Sequence, residues 1–276
     1  MEGLDSISNL VIKRQIKDFF ENDARKFEQD RWDARIEGIY DFMVTERVIE
    51  RTLSFLAPDR RPLRVLDLGC GTGIWGRKLK SLMPDVQYLG VDFSINMLLK
   101  AMEGDRKALR VGTSNYVLAD VEDLPLRGAQ FDLVLCIHVL EYLPDPLNLF
   151  RQTSDLLADN GVVAIITKNR NAVLWLAIRR LSEIVRPNPI QFQRWFQAKE
   201  LTHLVASANL RLLDIGGVTL RPPTYIGDVN DGISHGCPQK VSKLLCKLAL
   251  PLESRSSTLT WCRKFFFWHL YIICTK

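Results

Sequence analysis

An α/β fold, a doubly wound sheet of about seven strands with the last one antiparallel, is the architecture this sequence predicts. Three observations predict it. An apolar run carrying one acid, Val65-Leu66-Asp67-Leu68, breaks into glycines at every second position (Gly69, Gly71, Gly73), and a helical stretch follows from Ile74. From Leu63 onward, short apolar runs alternate with helical stretches, the pattern of parallel strands with crossover helices on both faces. Asp67, Asp92, Asp120 and His138 stand in or just after four successive predicted strands. That edge is where open α/β sheets bind their ligands.

The elements follow in order. Residues 1–60 read as an amphipathic helical arm, with Phe19, Phe20, Phe27, Trp32, Ile36, Tyr40 and Phe42 set among charges. Such an arm either packs on the main domain or covers a ligand. The first strand spans Arg64–Leu68 and a helix spans Ile74–Leu82. The second strand is Gln87–Val91, ending at Asp92, and the third is Tyr116–Ala119, ending at Asp120. The fourth is Asp132–Cys136, ending near His138, and the fifth is Val162–Thr167. Pro84, Pro125, Pro144 and Pro146 mark breaks between elements.

Beyond the fifth strand the rhythm changes. An apolar helix over Ala172–Val185 is followed by aromatic-rich Gln191–Phe196 and a helix over Ala198–Ala208. Leu210–Leu220 reads as a strand, Val241–Leu250 as a short basic helix and Phe265–Cys274 as the closing strand. The organisation expected is an arm over 1–60 and a main domain over 61–276. Cap insertions near 170–197 and 221–260 are expected to overhang the carboxyl edge of the sheet.

Composition narrows the function. Hydrophobic content of 47% and charged content of 25% are those of an ordinary globular protein. The net charge of +5 comes from basic residues that mostly alternate with acids, which is no footprint for nucleic acid. Six cysteines without a Cys-x-x-Cys pair argue against a disulfide framework and against zinc, and no metal is expected. Acids within the first five residues speak against a signal peptide, and Phe265–Cys274 is shorter than the ~20 residues of a spanning helix. A cytoplasmic protein is expected. A membrane surface, contacted through Lys240, Lys243 and Lys247, is the less favoured partner. Oligomeric state is not encoded legibly.

The glycine loop is a cofactor cradle. Glycine allows the sharp turn and removes the Cβ atoms that would hold a ligand away, and the donors at the start of the next helix face the gap. Gly71, Gly73 and Gly76 also satisfy G-x-G-x-x-G, which leaves an NAD-type oxidoreductase as an alternative. The acid ahead of the glycines shifts the balance. Asp-x-Gly-x-Gly-x-Gly at the end of a first strand resembles motif I of the class I S-adenosylmethionine-dependent methyltransferases. Gly90-Val91-Asp92-Phe93-Ser94, Ala119-Asp120-Val121-Glu122-Asp123-Leu124-Pro125, Phe131-Asp132-Leu133-Val134 and His138-Val139-Leu140-Glu141-Tyr142-Leu143-Pro144 resemble the family's later blocks, in the expected order. The flavour is that of the ubiquinone/menaquinone-type and natural-product group.

The resemblance implies a Rossmann-like fold with S-adenosylmethionine as methyl donor. It implies that Asp67, Gly69, Cys70, Gly71 and Gly73 shape the methionine end of the site and that Asp92 holds the ribose. Asp120 and the Val121 amide hold adenine, Phe93 and Ile137 complete the set, and Arg31, Arg35 or Tyr40 of the arm meets the cofactor carboxylate. Two departures stand out. Position 142 is Tyr where the family often has a second histidine, and no Asn/Asp-Pro-Pro-Tyr follows the fourth strand, which removes support for an adenine target in DNA or RNA.

For catalysis, His138 is the best-placed general base, because histidine titrates near pH ~6.5. Tyr142 and Glu141 are lesser candidates, and Glu141 is expected at solvent or capping the next loop. Trp195, Phe196 and Tyr225, in or beside the overhanging segments, are expected to wall a small, apolar or cyclic acceptor. A non-catalytic cofactor-binding protein is the other alternative.

Overall fold

The computed structural model describes residues 2–25, 27–28, 36–57, 62–108, 114–128, 130–172, 192–220, 244, 246–249, 251 and 267–276. Seven strands form one sheet: β1 (Arg64–Leu68), β2 (Gln87–Asp92), β3 (Asn115–Leu118), β4 (Phe131–Ile137), β5 (Leu157–Lys168), β6 (Arg211–Val218) and β7 (His269–Thr275). Their order is β3-β2-β1-β4-β5-β7-β6. The pairs among β1 to β5 are all parallel, and β7 runs antiparallel between β5 and β6. Among the described residues the α-helices that accompany them include α1 (Glu2–Asp23), α2 (Ile36–Leu53), α3 (Ile74–Leu82), α4 (Ile95–Lys107), α5 (Pro146–Leu156) and α6 (Ala198–Ser207).

A parallel sheet covered on both faces needs strands that are apolar throughout, and β4 is buried along its whole length. Alternate residues serve opposite faces. Leu66, Leu68, Val134 and Cys136 point into one core with Phe150 of α5 and Leu201 of α6. Val65, Leu133 and Leu135 point into the other, with Trp75 and Leu79 of α3 and Val48 and Ile49 of α2. Phe42 of α2 stacks on Trp75 at 4.8 Å and 14°, docking that helix on the second face. Arg64 grips the Asp132 carboxylate with two N–H groups, each at 3.1 Å, and so registers the amino ends of β1 and β4.

Most boundaries fall within two residues of expectation. β5 begins at Leu157 rather than Val162; Asn160 adopts φ 57°, and the pairing with β4 shifts between Phe131 and Leu133. Pro146 marks the expected break by opening α5, with Asp145 accepting the Asn148 amide at 3.2 Å as the cap. The closing strand starts at His269. Most of the expected insertions near 170–197 and 221–260 lies outside the described residues.

Candidate functional site

The carboxyl ends of the parallel strands surround a cavity of about 330 Å³. Its floor is the β1 loop (Gly69, Cys70, Gly71), its near wall is Asp92 and Phe93 after β2, and its far wall is Ile137 and His138 after β4. Helix α1 crosses above, contributing Lys13, Ile16 and Phe20.

The floor is built by glycine. Gly69, Gly71 and Gly73 have φ of 70°, 53° and 74°, a region that other residues enter at a cost of roughly 1–2 kcal/mol. The turn brings the Gly69 and Cys70 amides onto the Val91 carbonyl at 2.7 and 2.9 Å. A Cβ on Gly69 would lie 2.2 Å from Val139 Cγ2.

Asp92 holds this floor to the next helix. Its Oδ2 accepts the Gly71 amide at 2.8 Å and its Oδ1 the Ser94 amide at 2.9 Å. Burial pushes its carboxyl up to about 6, with those amides working against the rise. Asp67 is more deeply placed, behind the loop, and does not line the cavity. It accepts the Tyr88 hydroxyl at 2.6 Å. Burial, opposed by Tyr88 and helped by the charge of Asp92, pushes it up to about 7.

Asp120 and Val121 line the cavity beyond β3, but Asp120 already has a cation. Lys13 of α1 donates to its Oδ2 at 2.6 Å and reaches Glu122 at the same distance. Burial works against the Lys13 charge, but the two carboxylates outweigh it and its pKa is raised. At the far end of α1, the Glu21 carboxylate accepts the Ile95 and Asn96 amides at 3.0 Å each, capping α4 from outside its own chain segment.

The wall opposite Asp92 carries a histidine and a buried carboxylate. His138 has φ 58°, a left-handed turn at the end of β4, and its amide donates to the Ile166 carbonyl at 2.8 Å. Its Nδ1 stands 3.5 Å from Glu141 Oε1. The sequence expectation for Glu141 is corrected: it is fully buried, one turn along from His138 on the short helical turn Leu140–Tyr142, and accepts the Thr167 hydroxyl at 2.9 Å. Burial alone would raise its pKa, yet His138 and Lys168 outweigh burial and hold it below its ordinary value. Glu141 is therefore a buried carboxylate, not a solvated one. Tyr142 lines the cavity, accepts from Gln193 Nε2 at 3.2 Å and packs edge-on to Phe20 at 5.4 Å.

Sequence reasoning missed the rest of this wall. The His269 ring lies 4.4 Å from that of His138 at 61°, and its Nδ1 is 3.0 Å from Thr219 Oγ1. Lys168 Nζ sits 4.7 Å above the Trp268 ring, and all three of Lys168, Trp268 and His269 line the cavity. The available signal was topological: an antiparallel last strand delivers its first residues to the edge where the parallel strands end.

Other sequence candidates are placed elsewhere. Gly73 lies against Tyr116 at the start of α3 rather than in the cavity lining. Phe196 is fully buried in the core, under the Arg194 guanidinium. Trp195 is buried behind Trp268, 5.0 Å away and edge-on, and neither it nor Phe196 lines the cavity. Arg35 and Tyr225 lie outside the described residues. Among the described residues no cluster of His, Cys, Asp and Glu has the makings of a metal site, and no helix is long and apolar enough to cross a membrane.

Two outcomes follow from the floor. Gly69→Ala combines an unfavourable φ with a collision against Val139. It should lower the melting temperature, and the double variant Gly69→Ala/Val139→Ala should recover part but not all of the loss. The second concerns pH. A raised carboxyl pKa means that the folded state holds more protons than the unfolded one between the ordinary value of 3.8 and about 7 for Asp67. Its stabilising contribution is complete below 3.8 and is lost as pH rises through about 7. Urea titrations of the ligand-free protein should show a decline of up to about 1.4 kcal/mol per pH unit per proton in that window. Asp67→Asn should flatten it; an undiminished slope would assign the proton to another group.

Comparison with known proteins agrees with this geometry. The profile of a family described as methyltransferase domain matches residues 40–215, more than half of the chain. The ubiquinone biosynthesis O-methyltransferase of Burkholderia thailandensis is 32% identical over 166 residues, 58% of this chain and 69% of that protein. Its counterpart in Coxiella burnetii is 29% identical over 175 residues, 62% and 73% of the respective chains. Among solved structures, magnesium protoporphyrin IX methyltransferase from Synechocystis, determined with bound S-adenosylhomocysteine, superposes with a TM-score of 0.61 at 13% identity, covering 96% of this chain and 99% of that one. A methyltransferase from Thermotoga maritima superposes with a TM-score of 0.57 at 18% identity, covering 94% and 99%. The structures speak for the fold and the sequences for the lineage: the chain belongs to the methyltransferase-domain family, as a class I S-adenosylmethionine-dependent methyltransferase.

Proposed function

We propose that the cavity holds S-adenosylmethionine between the glycine floor and Asp92, and that the His138 wall presents a small, apolar or cyclic acceptor to it in the cytoplasm. The observation that carries this reading is Asp92. Each of its oxygens accepts one backbone amide, which leaves a lone pair on each for the two hydroxyls of a ribose. The donor set and the Cβ-free floor fit the cofactor. Gly69, Cys70 and Gly71 would accommodate its methionine portion, while Phe93, Val121 and Ile137 would flank the adenosine. The adenine amine would compete with Lys13 for Asp120.

When bound, the cofactor supplies an electrophilic methyl group on a sulfonium. The residues of this chain then align the acceptor and take up its proton. His138 acts as the general base at Nε2, since its Nδ1 is directed at the Glu141 carboxylate. Glu141 fixes the ring and stabilises the imidazolium that forms.

Isothermal titration should give a binding signal with S-adenosylhomocysteine and none with NAD; NAD binding alone would overturn the reading. Asp92→Ala should weaken S-adenosylhomocysteine by about 10–100-fold, the worth of about 1.5–3 kcal/mol for hydrogen bonds to a charged group.

The base is tested separately, by S-adenosylhomocysteine release with a hydroxyl acceptor found by screening. His138→Ala should lower kcat about 10²–10⁴-fold while cofactor affinity holds. Glu141→Gln should lower kcat and shift the acidic limb of the pH profile. A full rate in both variants would reduce the pair to packing.

A further inference from the structure

Helix α1 is pinned over the cavity at two places, and the two pins differ in kind. Near its carboxyl end the Glu21 carboxylate accepts the Ile95 and Asn96 amides at 3.0 Å each, and Asn96 Nδ2 donates to the Glu21 carbonyl at 3.0 Å. Farther back along the helix, Lys13 Nζ lies 2.6 Å from Asp120 Oδ2 and 2.6 Å from Glu122 Oε2. One ammonium therefore serves two carboxylates. Asp120 lines the cavity and Glu122 does not.

The two acids are unequal partners. Glu122 is nearly buried, with 7% of its side chain exposed against 36% for Asp120. It is also fixed: its Oε1 accepts the Asp145 amide at 2.8 Å, and its carbonyl accepts Asn148 Nδ2 at 2.6 Å. A buried carboxylate loses more than an exposed one when its cation leaves. Lys13 is therefore held chiefly by Glu122, and its contact with Asp120 is the expendable one. Asp120 Oδ1 is turned to its own loop, where it accepts the Glu122 amide at 2.9 Å. An adenine amine approaching Oδ2 would bring partly positive N–H hydrogens against a full cation on the same oxygen.

Resting on the methyltransferase reading above, we propose that Glu122 is a positioning residue for the adenine of the cofactor and acts through Lys13. In the ligand-free protein Lys13 bridges the two carboxylates. As adenine arrives, Lys13 leaves Asp120 Oδ2 and stays on Glu122. Its charge is never left unpaired, and Asp120 is released to the exocyclic amine. No covalent bond changes; a cation passes from two partners to one. Lys13 is already at hydrogen-bond distance from Glu122, so the exchange needs side-chain rotation only, and α1 keeps its Glu21 pin. The rival is that Lys13 and its two acids only fasten α1.

The test is a double-mutant cycle read by isothermal titration with S-adenosylhomocysteine, with the melting temperature measured for each variant. Lys13→Met removes the competitor and should tighten S-adenosylhomocysteine by about two- to fivefold, the size of a partly exposed ion pair. Glu122→Gln keeps an oxygen for the Asp145 amide but leaves Lys13 to Asp120 alone. It should weaken S-adenosylhomocysteine by about the same factor. In the double variant Lys13→Met/Glu122→Gln that weakening should vanish, and the affinity should equal that of Lys13→Met. A fastening role predicts the opposite sign for Lys13→Met, because a loosened α1 covers the ligand less well.

A Lys13→Met protein that binds S-adenosylhomocysteine no tighter than the wild type overturns the exchange. So does a Glu122→Gln penalty that persists in the Lys13→Met background. Should Glu122→Gln fail to fold, the sign of the Lys13→Met effect decides alone. These outcomes leave the methyltransferase reading intact, whereas wild-type protein that does not bind S-adenosylhomocysteine overturns the reading and the exchange together.

Discussion

The site depends on one carboxylate. Asp92 sits at the end of β2 and is spanned by two backbone amides, one from the β1 loop and one from the start of α4. Without the carboxylate the Ser94 amide would be a buried donor in need of a partner, and the part-buried Gly71 amide would lose the acceptor that holds the loop to β2. The contact fixes how far the glycine loop stands from β2, and with it the width of the cavity floor. Asp67 reinforces the same floor from below through Tyr88, which also packs edge-on to Tyr116 at 6.2 Å. Two acids of neighbouring strands thus do different work. One shapes the loop from behind, and the other shapes it from within the cavity.

The opposite wall follows a second constraint, that buried polar groups need partners. Glu141 has no exposure and is satisfied on one oxygen only, by the Thr167 hydroxyl; its Oε1 makes no hydrogen bond and stands 3.5 Å from His138 Nδ1. His269 has Thr219. These partners come from β5 and from the end of β6, so the wall is assembled only when the antiparallel β7 is seated between those strands. The left-handed turn at His138 belongs to the same assembly: its amide is taken by Ile166, and the φ of 58° lets the ring leave the strand towards the cavity.

Most of the sheet was legible because the central parallel strands are apolar on both faces and have a polar residue at or near their carboxyl ends. β1 and β4, bounded by Asp67 with its glycines and by His138, are the clearest cases. The start of β5 was not legible, because Asp159-Asn160-Gly161 reads as a turn; it lies inside the strand as an irregularity between the Leu157 and Val162 pairings with β4, with Asn160 at φ 57°. On the site, local pattern found Gly71, Asp92 and His138, which belong to contiguous motifs. It misread Glu141, since a lone acid in a loop carries no mark of burial; the Thr167 hydroxyl that satisfies it lies 26 residues away. It also passed over His269 and Lys168, which reach the cavity through strand order rather than through neighbours in sequence. Trp195 was read for its bulk, but its ring is spent on Trp268.

Helix α1 touches both halves of this site at once. Phe20 packs against Phe93 on the Asp92 side, at 6.4 Å, and against Tyr142 on the His138 side, at 5.4 Å. The polar ties that hold the helix, Lys13 to Asp120 and Glu122 and Glu21 to the start of α4, are partly exposed. Contacts of that kind contribute about 0–1 kcal/mol each. The helix is therefore a latch closed with modest force over two compartments that share a single door. Because Phe20 touches both rings, lifting it from Phe93 would also lift it from Tyr142, and the Asp92 side and the His138 side of the cavity would open to water in the same movement.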